Sequence, residues 1–139
     1  MTTKYYFDTC IWRDHYEDRL GKTGRALGKY ATDLFNKIIT NKDKILFSTF
    51  IYSELKKSYN HDEIDSMLNL LFQIDLLERV EISNSQFSES LKISLERNVP
   101  RGDALFVILA RDNNAILVTQ DRHFDKLKDI VEIRRPEDI

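Results

Sequence analysis

The chain has 139 residues, of which 42% are hydrophobic and 32% charged, and its formal net charge is −2. That length predicts one domain spanning residues 1–139, large enough to fold around its own hydrophobic core. The composition excludes a disordered or fibrous protein, and the near-neutral charge neither requires nor excludes a nucleic-acid partner, because such a protein can still carry a local basic face.

The N-terminal sequence and the cysteine content predict a cytoplasmic protein with no membrane association. Asp8 follows a short aromatic run, where a signal peptide would need a longer apolar stretch. The longest uninterrupted apolar run, residues 104–110, is far too short to span a membrane. Cys10 has no second cysteine with which to form an internal disulfide, which is typical of a reducing compartment.

Short apolar runs alternate with amphipathic segments along the chain. Buried strands are predicted at residues 5–7, 45–47, 80–82, 115–119 and 131–133. Apolar residues at helical spacing predict helices at 27–38, 51–59, 63–77, 87–95, 103–111 and about 124–127, with 100–102 as a loop. Asn60 with Glu63, and Ser83 with Gln86, predict capping boxes. This order of elements predicts a doubly wound α/β fold, with the ligand site at the carboxyl ends of the parallel strands.

Four acidic residues are predicted near that edge of the sheet. Asp8 ends the first strand, and Glu54 lies within two turns of the start of the helix after the second. A helix of about ten residues descends roughly 15 Å and a five-residue strand climbs about 16 Å. Asp103 and Asp121, at the two ends of such a helix–strand pair, therefore return to the same edge.

Converging carboxylates predict a divalent-metal site. Their mutual repulsion is tolerable when a hard cation neutralises it, and all-oxygen ligands suit Mg²⁺ or Mn²⁺. Such an ion can activate water and steady an in-line displacement at phosphorus, which predicts phosphodiester hydrolysis. Each acid alone has a simpler explanation, and the joint placement favours the metal. The simpler roles are a helix N-cap for Asp103 and Asp121, an Asx turn for Asp8 and a solvated helix residue for Glu54.

Four segments of the chain resemble the PIN domain family in order and spacing. They are Tyr6-Phe7-Asp8-Thr9, Ser53-Glu54-Leu55, Gly102-Asp103-Ala104-Leu105 and Ile116-Leu117-Val118-Thr119-Gln120-Asp121. The resemblance covers essentially the whole chain, is most specific over residues 100–124, and is to the small stand-alone VapC-type toxins of type II toxin–antitoxin pairs. It implies a three-layer α/β/α fold with a five-stranded parallel sheet in the order 3-2-1-4-5.

The resemblance also implies an endoribonuclease dependent on Mg²⁺ or Mn²⁺. Asp8, Asp103 and Asp121 match the nearest metal ligands, and Glu54 matches an acid that helps directly or through water. Further supporting positions are Thr119, Thr9 and Asp125. The implied partners are an RNA substrate, a second copy of the chain and a cognate antitoxin able to insert a basic side chain into the cleft.

Two groups of residues outside the acids are predicted to contact partners. A basic rim would hold an RNA backbone, although ordinary surface charge explains each member equally well; its members are Arg101, Arg122, Lys57 and Arg13. In the helix predicted at 63–77, Leu68, Phe72 and Leu76 lie beyond the main apolar stripe, so we expect them to bury against a second subunit or an antitoxin. Trp12 could stack on a base or lie in the core.

Two other enzyme classes fit the sequence poorly. Aspartate-nucleophile phosphatases need a second acid two positions after the first, where this chain has Cys10. A dinucleotide-binding domain needs a glycine-rich turn after the first strand, and Asp8-Thr9-Cys10-Ile11 is unlike one. Cys10 itself is better explained as a small buried residue than as a nucleophile. The remaining alternative is a PIN-like module that binds RNA or protein without cutting, which metal-dependent cleavage would distinguish.

Overall fold

The computed structural model describes residues 2–139, which form a five-stranded sheet with helices around it. The strand order is β3-β2-β1-β4-β5 and every neighbouring pair is parallel, so the predicted 3-2-1-4-5 topology and the α/β/α fold are confirmed. The strands are β1 (Lys4–Phe7), β2 (Lys44–Phe47), β3 (Leu77–Arg79), β4 (Ile116–Val118) and β5 (Ile133–Arg134).

Six α-helices connect these strands within residues 2–139. They are α1 (Thr9–Glu17), α2 (Leu27–Asn41), α3 (Thr49–Leu55), α4 (His61–Gln73), α5 (Asn84–Arg97) and α6 (Arg101–Asp112). Both predicted capping boxes form, at the starts of α4 and α5. Two 3₁₀ segments, Arg122–Leu127 and Pro136–Asp138, follow β4 and β5. None of the helices in this part of the chain is long and apolar enough to cross a membrane.

The core is built from the central strands and from α6. Residues 104–110 of α6 are all buried, which explains why this helix is apolar on every side. Trp12 is 1% exposed and packs against Phe7 and Phe35, with ring centroids 5.5 Å from each. The sequence left open whether Trp12 stacks on a base or lies in the core. The structure places it in the core, as part of α1.

The third strand begins three residues earlier than predicted. Residues 77–79 pair with β2, whereas the strand was predicted at 80–82 and Leu77 was assigned to the preceding helix. That helix, α4, ends at Gln73, because Asp75 adopts a left-handed backbone conformation (φ 59°) that a helix cannot continue through. The prediction missed this stop because an aspartate is a weaker signal for that conformation than a glycine.

The predicted apolar face of α5 points to solvent rather than to the core. Phe87, Leu91 and Leu95 are 40%, 44% and 75% exposed, while Ser90 and Ile93 are buried where α5 packs against α6. A second correction nearby is that Arg101 and Gly102 belong to α6 rather than to a loop. The charged segment Thr9–Glu17 was not predicted as a helix, since its apolar residues are too few to show a stripe.

The three extra apolar residues predicted to meet a partner have different environments. Leu76 is 6% exposed and belongs to the core, and Leu68 is half-buried against it. Only Phe72, at 74% exposure, is free to contact another molecule. Two further apolar residues of the segment predicted as the 63–77 helix, Leu70 and Ile74, are also exposed. This part of the partner prediction is therefore wrong for Leu76, because the chain turns inward there to enter β3.

The packing of Gly28 on the end of α1 gives a test of this arrangement. A Cβ at Gly28 would lie 2.5 Å from Asp18 Cα and 2.7 Å from its carbonyl carbon, both backbone atoms that cannot rotate away. We expect Gly28→Ala to lower the free energy of unfolding in urea by about 1–3 kcal/mol through overpacking. Gly21→Ala is the control, because its Cβ would meet nothing closer than 3.4 Å. Equal stability of the two variants would contradict the close packing.

Candidate active site

Asp8 lies at the carboxyl end of β1, immediately before α1. Its backbone N–H donates to Val118 O (3.0 Å), which continues the β1–β4 pairing to the edge of the sheet. Its carboxylate Oδ2 accepts hydrogen bonds from Thr119 Oγ1 (2.8 Å) and Cys10 Sγ (3.3 Å). Burial raises the pKa of Asp8, as does the charge of Asp121, while the hydrogen bonds oppose the shift. The acid is thus oriented before any ligand arrives.

Thr119 connects Asp8 to the second acid of the site. The same Oγ1 that donates to Asp8 accepts the backbone N–H of Asp121 (2.9 Å). Asp121 in turn caps the following 3₁₀ segment, since its Oδ1 accepts the backbone N–H of His123 (2.8 Å) and lies 3.1 Å from Nδ1 of that ring. The capping role expected for an isolated Asp121 is therefore present, and it uses one of the two carboxylate oxygens.

Asp103 lies in the first turn of α6 and within electrostatic reach of the other three acids. Burial raises its pKa to about 6, with further contributions from the charges of Asp8 and Asp121 and a smaller one from Glu54. The capping explanation does not hold for Asp103, because the N-cap of α6 is Pro100. The structure therefore brings the four predicted acids to one edge of the sheet, where they repel one another.

Glu54 is partly exposed, although less so than Asp121, whose side chain is 38% exposed. It lies on α3 with 26% of its side chain exposed, and Lys57 Nζ pairs with its Oε2 at 3.0 Å. Lys57, predicted to contact RNA, is thus already engaged with one of the acids. Arg13 is likewise engaged, because it pairs with Glu17 (3.4 Å) on the surface of α1.

The other predicted residues divide between the site and its surroundings. Thr9 begins α1 beside Asp8, and its Oγ1 is buried with no hydrogen-bond partner within residues 2–139. Asp125 is exposed and pairs with Lys128 (3.1 Å) rather than joining the four acids. Arg122 lines a polar groove on the β5 side of the acids, together with Asp121 and Asp125. Arg101 is exposed at the start of α6, two residues before Asp103.

Two residues close to the acids were missed by the sequence analysis. Asp14 is 2% exposed, and burial raises its pKa, with Arg19 opposing the shift at 3.6 Å and Asp8 adding to it. Cys10 contacts Asp8 directly, as described above. Both residues lie on α1, which follows Asp8 directly. A prediction of this helix would have indicated that they lie close to Asp8.

The donor set fits a hard divalent cation. Within residues 2–139, no group of three or more His, Cys, Asp or Glu side chains is placed to hold a metal ion. However, the acids at this edge are all oxygen donors, and burial together with the charges of Asp8 and Asp121 raises the pKa of Asp103 to about 6. A cation would relieve the repulsion that these groups now experience.

Residues 5–130 match the PIN domain family model, so the chain belongs to the PIN domain family, whose members are nucleases. Its fold is similar to that of three solved structures.

The first is VapBC2 from Rickettsia felis bound to a DNA fragment from their promoter (TM-score 0.67, 18% identity, 96% of this chain and 98% of that chain). The second is FitAcB from Neisseria gonorrhoeae (0.61, 11%, 97% and 99%), and the third is VapBC-1 from nontypeable Haemophilus influenzae (0.56, 15%, 96% and 98%). At these identities the likeness is one of fold. No protein of curated function shows significant sequence similarity to the chain.

The burial of Asp103 and the charges of its neighbours predict a pH-dependent gain in stability when Asp103 is neutralised. Because its folded pKa is raised above the usual 3.8 to about 6, the protonated form stabilises the fold at low pH, and that stability is lost as the pH rises through 6. Asp103→Asn should therefore raise the free energy of unfolding at pH 7.5 in chelator by about 1 kcal/mol, after allowance for solvent screening.

Urea titrations at pH 7.5 and pH 4 check this prediction, and the gain should shrink at the lower pH. Asp33→Asn is the matched control, since Asp33 is an exposed residue of α2 paired only with Lys29. A loss of stability at pH 7.5, or a gain of the same size in the control, would contradict mutual repulsion at the site.

Proposed function

We propose that this protein is an endoribonuclease that requires Mg²⁺ or Mn²⁺ and hydrolyses RNA phosphodiester bonds. The single observation that carries the proposal is the acidic edge, where Asp103 has its pKa raised to about 6 by burial and by the neighbouring carboxylates. Membership of a nuclease family supports hydrolysis as the activity. The proposal takes RNA as the substrate from the resemblance of the acidic motifs to VapC-type toxins.

The four acids have two kinds of role in the proposed reaction. Asp8, Asp103 and Asp121 would hold the cation, with Glu54 helping directly or through water. A divalent cation supplies Lewis-acid stabilisation of the charge that develops on the phosphate. Thr119 keeps the carboxylate of Asp8 turned toward the edge, because its hydroxyl is itself fixed by the Asp121 N–H. Pre-orientation of this kind avoids reorganisation during the reaction.

Of the four basic residues in the predicted rim, two already pair with acidic side chains. Lys57 and Arg13 are paired with Glu54 and Glu17, so they have less charge to offer a phosphate. Arg101 and Arg122, which flank the acids on α6 and after β4, remain as the proposed contacts with the RNA backbone. The acidic cleft itself would repel RNA, and the positive charge of these two arginines would offset that repulsion.

We also propose that the protein is the toxin of a type II toxin–antitoxin pair. Two of the solved structures with this fold are VapBC assemblies, and one of them is bound to a promoter DNA fragment. The partners proposed for this chain are a cognate antitoxin and a second copy of the chain. The exposed apolar residues Leu70 and Phe72 of α4, and Ile74 just after it, are available for such contacts.

The decisive experiment is cleavage of a mixed RNA pool with Mn²⁺, with Mg²⁺ and with chelator. The wild type should cut only with metal, and Asp8→Asn should lose at least about 100-fold in rate, because it removes ligand charge from a pre-oriented position. Asp33→Asn, the same chemical change on α2, should cut like the wild type.

Urea unfolding of each preparation shows whether Asp8→Asn is folded. Cutting in chelator, or full activity of a folded Asp8→Asn protein, would refute the metal site. A wild type that binds RNA and leaves it intact under all three conditions would identify the chain as a binding module instead.

The Thr119 hydroxyl gives an independent test of pre-orientation. Thr119→Val keeps the shape and burial of the side chain but removes both hydrogen bonds, so Asp8 is free to turn away. We expect a roughly 10- to 100-fold fall in cleavage rate, as is typical when a ligand-orienting partner is lost. Thr119→Ser retains the hydroxyl and should restore most of the rate. Equal rates for the Val and Ser variants would show that the hydroxyl does not orient Asp8.

A further inference from the structure

A groove of about 360 Å³ opens between α3, α5 and α6, directly beside the acidic edge. One of the site acids, Glu54, lines it, and so does Gly102, the residue before Asp103. The acids and the groove are therefore continuous, and a molecule that reaches Glu54 also reaches the groove. Its volume is at the small end of the range of about 300–1,000 Å³ for ligand pockets.

Two aromatic side chains line this groove. Phe50 lies on α3 four residues before Glu54, so both belong to the same face of that helix. Its ring is held in place, because it packs on Phe106 at 5.1 Å and would lie 3.2 Å from a Cβ built on Gly102. Phe87 enters from α5 and is 40% exposed. The groove thus has one fixed aromatic ring and one that is open to solvent.

The guanidinium of Arg101 lies at the same groove with its charge uncompensated. It donates to two neutral acceptors, Ser90 Oγ (3.4 Å) and the backbone oxygen of Phe87 (3.2 Å). No carboxylate within residues 2–139 forms an ion pair with it, in contrast to Arg111, which pairs with Glu89 at 2.7 Å. Arg101 is therefore positioned by α5 while its charge remains available to an anion.

We propose that this groove binds one unpaired nucleobase of the RNA, next to the scissile phosphate. The base would stack on Phe87 against the wall formed by Phe50, and Arg101 would contact the adjoining phosphate. Stacking of bases on aromatic side chains is the usual way in which proteins hold single-stranded RNA. This inference rests on the proposed ribonuclease function and adds to it a single-stranded or looped substrate.

A protein partner is the competing occupant. Phe87 begins an exposed stripe that continues to Leu91 and Leu95 along α5, and such a stripe could meet another chain. Neither of those leucines lines the groove, however, and a charged arginine and a carboxylate do. An aromatic pocket with an unpaired cation at its rim matches a base and its phosphate better than it matches an apolar helix.

Binding measurements in chelator test the base site separately from cleavage. The probe is a labelled single-stranded RNA octamer, together with a series in which each position in turn is abasic. We expect one position at which loss of the base weakens binding by the wild type about tenfold. Phe87→Ala should bind the intact octamer about tenfold more weakly and should be insensitive to the abasic change at that position. Phe87→Trp should keep the sensitivity, and Leu95→Ala, on the same helix outside the groove, should behave like the wild type.

The outcomes separate this inference from the proposed function. If the wild type and Phe87→Ala respond identically to every abasic position, the base site is wrong, whether or not the protein cuts RNA. If the abasic sensitivity depends on Phe87 but no metal condition gives cleavage, the base site stands and the nuclease function fails. If Phe87→Ala changes the sedimentation coefficient of the protein and leaves RNA binding unchanged, α5 is a protein interface and the inference is overturned.

Discussion

A single hydroxyl, Thr119 Oγ1, joins the ends of the two central strands of the sheet. It donates to the carboxylate of Asp8 after β1 and accepts the N–H of Asp121 after β4. Since β1 and β4 are parallel neighbours, the carboxyl ends of both strands lie at the same edge of the sheet. The hydroxyl fixes the positions of Asp8 and Asp121 relative to each other at this edge. The polar groove at Asp121 and the aromatic groove at Glu54 are both positioned relative to this pair.

The acidic edge is unfavourable for the fold that carries it. Four carboxylates share one region, and burial together with their charges raises the pKa of Asp103 to about 6. The central helix α6 supplies the compensation, because residues 104–110, directly after Asp103, are all buried in the core. An unfavourable acid at the start of a deeply packed helix is typical of a functional site, where the surrounding structure compensates for local strain.

The two sides of the edge differ in chemistry. Toward β5 the groove is polar, and its charged residues include pairs such as Asp125 with Lys128. Toward α5 the groove is aromatic, and Arg101 at its rim is held by neutral groups alone. A nucleic-acid strand likewise combines charged phosphates with flat apolar bases.

The sequence alone determined the α/β class and both capping boxes, which follow from local periodicity, and the lengths of helix and strand predicted that Asp103 and Asp121 return to one edge. The strand order 3-2-1-4-5 came from the family resemblance, since pairing between distant strands leaves no local signal. Only the tertiary structure decided which faces are buried. It turned Phe87 outward and Leu76 inward, ended α4 at Gln73 and left Arg101 without an acid, because each depends on what a distant segment packs against.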